Sequence, residues 1–436
     1  MLVTKLRAFG ITPKRLPEAQ ITELIRASPT YADDERDFHA KLQTFLSLHK
    51  NAQYSRAEVE QRVFARGDNY ARQRGQNFLA IYFKIYAAYE NYLAENRKYD
   101  FADMINIATR MVRETPELAN GYKYILLDEV QDLSRNRFLL VREILRKNPD
   151  CRLFAVGDDW QSIYRFAGSD LTLIQEFEQT FGLKTRRSFI ETTHRFGQPT
   201  IQISCDFIQR NPTQSHKNVF NDKAKPTPIN VILNNPKSRN DDTESLNIIL
   251  QSLIKTHDYD QIKSKEFAVI SRYNHDIRRL KESANLKIQA DTILWQNPAN
   301  PDETIRLEFC SMHKSKGITR DIVIVLNMNS DLMGMPASRE NDPIIDALLA
   351  KEDNFAFAEE RRLFYVAITR AREATYLIAN RKNPSPFIFE LNQEIKAAYG
   401  KLCPKCETGE LVRKTTKNGA FYYCSNYRYG CNYLKK

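Results

Sequence analysis

The chain has 436 residues, and its 65 lysines and arginines against 54 aspartates and glutamates give a formal net charge of +11. At roughly 100–200 residues per domain, two to four domains are expected. Hydrophobic residues make up 42% and charged residues 27%, which excludes wholesale disorder and collagen-like or coiled-coil architectures. The apolar runs are far shorter than the roughly 18–20 residues that span a bilayer, and the N-terminus has no signal-sequence pattern, so we expect no membrane partner and a cytoplasmic location.

Residues 1 to about 95 are predicted to be mostly helical. Apolar side chains recur at a spacing near 3.6 residues, and the clearest stripe comprises Phe78, Ile81, Tyr82, Ile85, Tyr86, Tyr89 and Tyr92. Such a stripe is more often a packing face than a binding surface.

A parallel α/β arrangement is predicted from Tyr122 onward. The apolar runs 124–127 and 153–156 are typical of buried parallel strands, and a predicted helix from Ser134 to Lys147 lies between them. This order of strand, helix and strand indicates a βαβ unit.

The remaining elements continue the same pattern. Segment 211–228 is rich in Pro, Asn, Lys and Thr and predicts a loop, while 382–386, with two prolines, predicts a linker. Further strands are predicted at Ile229–Leu233, Phe267–Ser271, Ile305–Cys310, Ile322–Leu326 and Thr375–Ile378.

The acidic run 128–132 follows the first of these strands. Carboxylates at the carboxyl end of a strand in an α/β sheet can hold Mg²⁺ beside a nucleotide. The same residues would also suit the first turn of a helix, which favours Asp and Glu. On this run alone, both interpretations stay open.

An arginine at the end of a packed helical face is a second indication of phosphate chemistry. In the segment 359–372, Leu363, Val366 and Arg370 lie on one predicted helical face. A charge at the end of an apolar stripe needs a partner, and a phosphate is a suitable one. A surface helix rich in arginine is the alternative.

Six blocks, in order, resemble the superfamily I DNA helicases of the UvrD/Rep type, and among them the helicase IV branch. They are DEVQD at 128–132, GDDWQSIYRFAGS at 157–169, TTHRF at 192–196, AVISRYN at 268–274, SMHKSKG at 311–317 and EERRLFYVAITRAR at 359–372. The resemblance implies RecA-like P-loop NTPase motor domains of the α/β class and an ATP-dependent 3′→5′ DNA helicase.

The resemblance also implies roles for single residues on the nucleotide side. Asp128 corresponds to the Mg²⁺ ligand and Glu129 to the general base, while Gln161 corresponds to the sensor of the γ-phosphate. Arg195 and Arg370 correspond to paired arginine fingers, which stabilise charge on the transferring phosphoryl group. A further nucleotide contact is implied at Gly317, and the implied cofactors are ATP and Mg²⁺.

On the DNA side, the resemblance implies that Tyr164 and Phe166 stack on successive bases of single-stranded DNA, and that His313 and Arg272 contact DNA. Stacking tolerates any sequence, which suits a motor that moves along DNA. The sequence departs from the family at four positions. Phe166 stands where the family usually has Trp, His194 where it has Tyr and Thr319 where it has Glu. Ala167 stands where the family has a basic residue, and Arg165 is a possible substitute for that residue.

Residues 1–436 contain no G-x-x-x-x-G-K-[ST] phosphate loop. In the family, this loop opens the first RecA-like domain. The chain therefore resembles the C-terminal part of a helicase, and we expect it to hydrolyse ATP weakly or not at all by itself. A separate chain that supplies the loop is one expected partner. A non-catalytic remnant that binds single-stranded DNA is the alternative function.

The C-terminal tail has a four-cysteine pattern in which Cys403, Cys406, Cys424 and Cys431 are separated by 2, 17 and 6 residues. This spacing predicts a Zn²⁺ site, and the tail resembles the zinc ribbon of bacterial topoisomerases. Eight Lys/Arg against two Glu within 401–436, with six interleaved aromatic residues, favour binding of single-stranded DNA.

We therefore predict four parts of the chain. They are a helical segment at 1–95, the C-terminal part of an incomplete first RecA-like domain at 96–195, a second RecA-like domain at 196–385 and a small zinc ribbon at 400–436.

Overall fold

The computed structural model describes residues 35–65, 69–221, 225–234, 241–338, 342–351 and 353–391, and in the tail 405, 411–416, 419–424, 427 and 431–435. The described residues form two compact units. Unit 1 is drawn from Met1–Asp158, Tyr164–Thr185 and Glu340–Lys351, and unit 2 from Asp159–Ile163, Arg186–Arg339 and Glu352–Lys436. These units are discontinuous in sequence, whereas the predicted domains are continuous ranges, and the two divisions cannot be compared directly. The predicted domain bounds therefore stay a prediction.

Unit 1 is mainly helical, with one short parallel sheet. Its helices are α1 (Glu35–Ala52), α2 (Arg56–Phe64), α3 (Asn69–Glu95), α4 (Phe101–Glu114), α5 (Arg135–Lys147), α6 (Thr172–Gln175), α7 (Phe177–Phe181) and α11 (Pro343–Asp346), and its strands are β1 (Tyr124–Leu127) and β2 (Arg152–Ala155).

The aromatic stripe of α3 is a packing face over most of its length, as predicted. Phe78 and Tyr82 are buried, and their rings contact Phe45 of α1 at centroid distances of 5.0 and 4.6 Å. Tyr92, at the end of the stripe, is exposed instead.

A buried lysine connects α1, α3 and α4. The Nζ atom of Lys50 lies 2.7 Å from Glu90, 2.8 Å from Asp100 and 2.6 Å from Asp103. Burial lowers the pKa of Lys50, but its hydrogen bonds to Asp100, Asp103 and Glu90 outweigh this and raise the pKa overall. The ammonium group therefore keeps three carboxylates together.

The predicted βαβ unit is confirmed, but its strands are covered on one face only. β1 and β2 pair in parallel, with Leu126 opposite Phe154. Leu127, Leu153 and Ala155 pack with α5, α6 and α7 in one core, whereas Leu126 and Phe154 are 74% and 62% exposed. The expectation of fully buried strands was therefore wrong, because within unit 1 helices cover a single face of this sheet.

Unit 2 contains a seven-stranded mixed sheet and five α-helices among its described residues. The strands are β3 (Ile229–Asn234), β4 (Phe267–Ser271), β5 (Leu286–Gln289), β6 (Thr292–Asn297), β7 (Asn300–Ser311), β8 (Arg320–Val325) and β9 (Ala371–Asn380), and the helices are α8 (Thr200–Ile208), α9 (Thr243–Thr256), α10 (Tyr259–Lys263), α12 (Ala358–Ile368) and α13 (Pro386–Leu391). The strand order in the sheet is β3-β9-β8-β4-β7-β6-β5. The pairs from β3 to β7 are parallel, and β6 and β5 extend the sheet in antiparallel fashion.

The five strands predicted for this region are present, and β5 and β6 were missed. Helix α12 is buried from Arg361 to Ile368, whereas Glu359 and Glu360 in its first turn are half-buried. The predicted linker at 382–386 was wrong, because Ser385 and Pro386 are buried and α13 begins at Pro386. The predicted loop at 211–228 contains no helix or longer strand in its described residues.

Part of the C-terminal tail forms a three-stranded antiparallel sheet of β10 (Leu411–Thr416), β11 (Gly419–Cys424) and β12 (Leu434–Lys435). Among the described residues, no helix has both the length and the hydrophobicity needed to cross a membrane.

Candidate functional site

The acidic run of unit 1 forms a tight turn at the carboxyl end of β1. Asp128 and Glu129 are exposed, and the Glu129 backbone N–H donates to Asp128 Oδ1 at 2.9 Å. Glu129 has φ 50° and ψ 45°, a left-handed conformation that costs a non-glycine residue about 1–2 kcal/mol. This conformation places a short 3₁₀ turn, Val130–Asp132, after the strand, so the run does not begin an α-helix.

Gln131 connects this turn to the end of β2. Its side chain is fully buried; Nε2 donates to Glu129 Oε2, and Oε1 accepts the Asp158 N–H at 2.9 Å. The Val130 N–H also donates to Val156 O at 3.0 Å. Gln131 was not predicted as a site residue, although it lies inside the DEVQD block.

Tyr164 and Phe166 lie together on unit 1, beside the acidic turn. Their ring centroids are 6.0 Å apart with planes tilted by 58°, and Phe166 is 51% exposed. Burial raises the pKa of Tyr164, and the charges of Asp132 and Glu129 raise it further. The Ser169 hydroxyl donates to Asp132 O at 3.1 Å, which ties this segment to the acidic turn.

Residues 159–163, which precede the aromatic pair, belong to unit 2. Trp160 is buried and its indole N–H donates to Ser215 O at 2.9 Å. Asp159 accepts the Ser215 N–H at 2.7 Å and pairs with Lys217. Both side chains therefore hold the segment on unit 2.

Three successive backbone groups of this segment are bound by side chains from two other blocks. Lys316 Nζ donates to Gln161 O at 3.0 Å and Arg362 Nε to Ser162 O at 2.7 Å, while His313 hydrogen-bonds the Ile163 backbone. Lys316 and Arg362 were not predicted as site residues, and no sequence signal distinguishes them from surface cations.

Arg370 is fully buried beside Gln161 in unit 2. Its Nε donates to Val366 O at 2.8 Å, and its Nη2 lies 3.2 Å from Thr369 Oγ1 and 3.4 Å from Gln161 Oε1. Arg195 Nη1 donates to Thr369 O at 3.2 Å, so two guanidinium groups contact the same residue. Burial lowers the pKa of Arg195, and the charge of Arg372 lowers it further. Two cations held so close create a region of positive potential suited to an anion.

Arg272 and His313 follow the neighbouring strands β4 and β7. Arg272 makes a bidentate ion pair with Glu360, with Nη2 to Oε1 at 2.8 Å. Burial lowers the pKa of His313 to about 4, and the nearby charge of Arg272 contributes. The imidazole is therefore neutral near pH 7. Gly317, four residues after His313, has φ 86°, a conformation that favours glycine.

The structure thus brings Gln161, Arg195 and Arg370 together in unit 2, and Asp128, Glu129, Tyr164 and Phe166 together in unit 1. Arg165, interpreted from sequence as a basic substitute on the DNA side, is buried in unit 1 instead. That interpretation was wrong, because its side chain pairs with Asp346.

Two of the four predicted zinc ligands lie among the described residues. Cys424 and Cys431 are both buried and pack with Leu411 and Tyr433, and the Cys424 N–H donates to Tyr433 O at 3.2 Å. Cys403 and Cys406 lie outside the described residues. Within the described part of the chain, no three His, Cys, Asp or Glu side chains are placed to hold a metal ion.

Comparison with known proteins gives matches to two family models. The family model of the UvrD/REP helicase N-terminal domain matches residues 6–182, and that of the UvrD-like helicase C-terminal domain matches residues 286–382. The chain is 32% identical over 303 residues to DNA helicase IV of Escherichia coli K12, covering 69% of this chain and 40% of that protein.

A second relative is the ATP-dependent DNA helicase PcrA of Bacillus subtilis 168, 24% identical over 220 residues, covering 50% of this chain and 29% of that protein. The match to a solved C-terminal domain of a possible DNA helicase from Lactobacillus plantarum WCFS1 has 14% identity and a TM-score of 0.25, and covers 47% of this chain and 97% of that one. The chain spans less than half the length of both curated relatives.

Proposed function

We propose, on the premise that the chain belongs to the UvrD-like superfamily I helicases, that it is part of the motor of an ATP-dependent DNA helicase that moves along single-stranded DNA. The observation that carries this proposal is the network of Gln161, Arg195 and Arg370 around Thr369 in unit 2. The 3′→5′ polarity is proposed from the sequence resemblance alone.

ATP and Mg²⁺ are the proposed cofactors of this motor. Asp128 and Glu129 would face the metal ion, since exposed carboxylate oxygens at the end of a strand are ligands that Mg²⁺ prefers. Bound Mg²⁺ would neutralise phosphate charge. Gln131 orients the Glu129 carboxylate, which supports the role of Glu129 as the base that orients a water molecule.

In unit 2, Arg195 and Arg370 are proposed to stabilise negative charge on a phosphate, and Gln161 to sense its presence. The contact of Gln161 Oε1 with Arg370 is long, at 3.4 Å, so a ligand could replace it at small cost. Gly317 is proposed to approach the nucleotide through its backbone.

DNA contacts are proposed for Tyr164, Phe166, His313 and Arg272. The exposed ring of Phe166 supports stacking on a base. His313 would act as a neutral hydrogen-bonding group, since its pKa is lowered. Arg272 would contact a phosphate only while sharing its guanidinium with Glu360.

The cysteine tail is proposed to bind zinc through Cys403, Cys406, Cys424 and Cys431. Cys424 and Cys431 are buried in one small cluster beside the antiparallel sheet, which supports this, because a structural zinc site holds its thiolates away from water.

A separate polypeptide carrying a phosphate loop is the proposed partner of unit 1. The uncovered face of its sheet, formed by Tyr124, Leu126, Phe154 and Val156, supports this partner because parallel sheets are normally covered on both faces. The alternative function is a non-catalytic protein that binds single-stranded DNA, which needs only the aromatic pair and the basic tail.

Steady-state ATP hydrolysis by this chain, with and without single-stranded DNA, tests the proposal. The motor hypothesis predicts weak turnover that DNA stimulates and that Glu129→Gln and Arg370→Ala both abolish. Glu117→Gln, an exposed glutamate outside the site, is the matched control. Tight DNA binding with no turnover, unchanged when a phosphate-loop polypeptide is added, would support the alternative.

A further inference from the structure

Unit 1 includes a short segment from late in the chain, residues 342–351. Ile344, Leu348 and Leu349 are buried in one hydrophobic core with Phe45 and Phe78. Asp342 pairs with Lys41 at 2.7 Å and with Arg74 at 2.9 Å. The segment is therefore a firmly packed part of unit 1.

The same segment binds the residue between the two candidate stacking aromatics. Arg165 is buried, its Nη2 lies 2.8 Å from Asp346 Oδ1, and its Nε donates to Ala350 O at 2.9 Å. Its third nitrogen, Nη1, is buried with no hydrogen-bond partner among the residues that the structure describes. Asp346 thus supplies the carboxylate that pairs this buried guanidinium.

The backbone around Arg165 transmits this restraint to its neighbours. Residues 165–167 form one 3₁₀ turn, in which the Ala167 N–H donates to Tyr164 O at 2.9 Å and the Gly168 N–H to Arg165 O at 2.8 Å. Tyr164 and Phe166 flank Arg165 in the sequence, so anchoring Arg165 restrains the backbone that carries both rings.

We propose that Asp346 is a positioning residue for DNA binding: through Arg165 it holds Tyr164 and Phe166 in the arrangement that stacks on bases of single-stranded DNA. This inference rests on the proposed function. It assigns Arg165 to an internal ion pair, and it gives the segment 342–351 a part in base stacking.

The test compares two DNA ligands that differ only in their bases. Affinity for an oligo-dT strand and for an abasic strand of equal length is measured by fluorescence anisotropy at one fixed salt concentration. Stacking contributes to the first affinity only, while phosphate contacts contribute to both. The ratio of the two affinities therefore reports on ring arrangement, and loss of general stability would not change it selectively.

Asp346→Asn is expected to lower oligo-dT affinity about tenfold and to leave abasic affinity within about twofold, since roughly one stacking contact is lost. Asp342→Asn is the matched control. It removes ion pairs of the same segment that do not involve Arg165, so it should leave the ratio of the two affinities unchanged. Asp346→Glu should restore part of the ratio. If Asp346→Asn is unfolded by circular dichroism, Arg165→Lys, which keeps the charge but loses the second contact, takes its place.

Failure of the positioning role and failure of stacking are distinguishable. If Phe166→Ala removes the preference for oligo-dT but Asp346→Asn does not, or if Asp342→Asn lowers it equally, the positioning role is overturned and stacking stands. If the unmodified chain binds both strands equally, DNA stacking by this unit is overturned, and the role of Asp346 with it.

Discussion

Arg361 and Glu390 form a doubly hydrogen-bonded ion pair in the interior of unit 2. Nη1 lies 2.7 Å from Oε2 and Nη2 2.7 Å from Oε1, and each side chain is 1% exposed. The guanidinium also lies about 5 Å from the rings of Phe207, Phe355 and Phe387. The pair attaches α13 to α12, the helix that leads to Arg370.

Replacing one partner of this pair should destabilise unit 2 strongly. Glu390→Gln leaves the buried charge of Arg361 without its partner, and we expect the free energy of unfolding to fall by about 3–5 kcal/mol. Urea denaturation followed by circular dichroism measures this change.

The control for this variant is Glu373→Gln. Glu373 pairs with Lys265 at the surface, where such pairs contribute about 0–1 kcal/mol. Equal decreases in the free energy of unfolding for the two variants would show that the buried pair stabilises unit 2 no more than a surface pair does.

Local patterns predicted much of the fold. β4 begins and ends at the predicted residues, and α5 differs from its prediction by one residue. Both segments have an unambiguous apolar pattern and clear flanking signals. β5 and β6 were missed because their alternation is short and interrupted, and because much of their burial comes from pairing, of β6 with β7 and of β5 with β6.

Contacts between distant parts of the sequence were not predictable. Nothing local indicates that 342–351 packs in unit 1, that Arg272 pairs with Glu360, or that Arg165 is buried. Each depends on which elements meet in the folded chain. The candidate site residues could be named from the sequence because their motifs are contiguous, whereas Lys316 and Arg362 stand out only through their contacts with residues 161–162.

Acid should destabilise the fold through His313. The pKa of this histidine is about 4 in the folded chain, below its ordinary value near 6.5. Between these pH values the unfolded chain binds the proton and the folded chain does not, so the free energy of unfolding falls as pH decreases from about 6.5 to about 4. The loss should reach at most about 3 kcal/mol.

His313→Gln should remove this part of the pH dependence. Urea denaturation at several pH values between 4.5 and 7.5 gives the difference between the two proteins, and His216→Gln shows the effect of replacing an exposed histidine. Parallel stability curves for the unmodified protein and His313→Gln would contradict the prediction.

Gly157→Ala should disturb the acidic turn. An added Cβ would lie 2.5 Å from Gln131 Oε1 and 2.7 Å from Val130 Cγ1, so Gln131 must move and lose its bond to the Asp158 N–H. We expect a loss of about 1–3 kcal/mol in stability, measured by thermal or urea denaturation.

The control for this substitution is Gly121→Ala. At Gly121, no described atom lies within 4 Å of the added carbon, but φ is 88°, so only backbone strain of about 1–2 kcal/mol is expected. ATP hydrolysis is a second measurement, because Gln131 also bonds the proposed base Glu129. Gly157→Ala should also lower any DNA-stimulated ATP hydrolysis, whereas Gly121→Ala should not.

Zinc content tests the proposed role of the cysteine tail. The four-thiolate hypothesis predicts one zinc ion per chain in protein purified under reducing conditions, measured by elemental analysis. Cys424→Ser and Cys431→Ser should each lower zinc content well below one ion per chain, because three thiolates bind the metal more weakly than four. Cys151→Ser, at a buried cysteine of unit 1, is the matched control and should retain the full zinc content.

Protease sensitivity of the tail gives a second measurement. Since metal binding and folding of a small zinc domain are coupled, protease cleavage within 401–436 should accelerate in the two tail variants and after chelation of the intact protein. Zinc-free protein whose tail resists protease as well as the zinc-supplemented protein does would instead show that Cys424 and Cys431 are ordinary buried thiols.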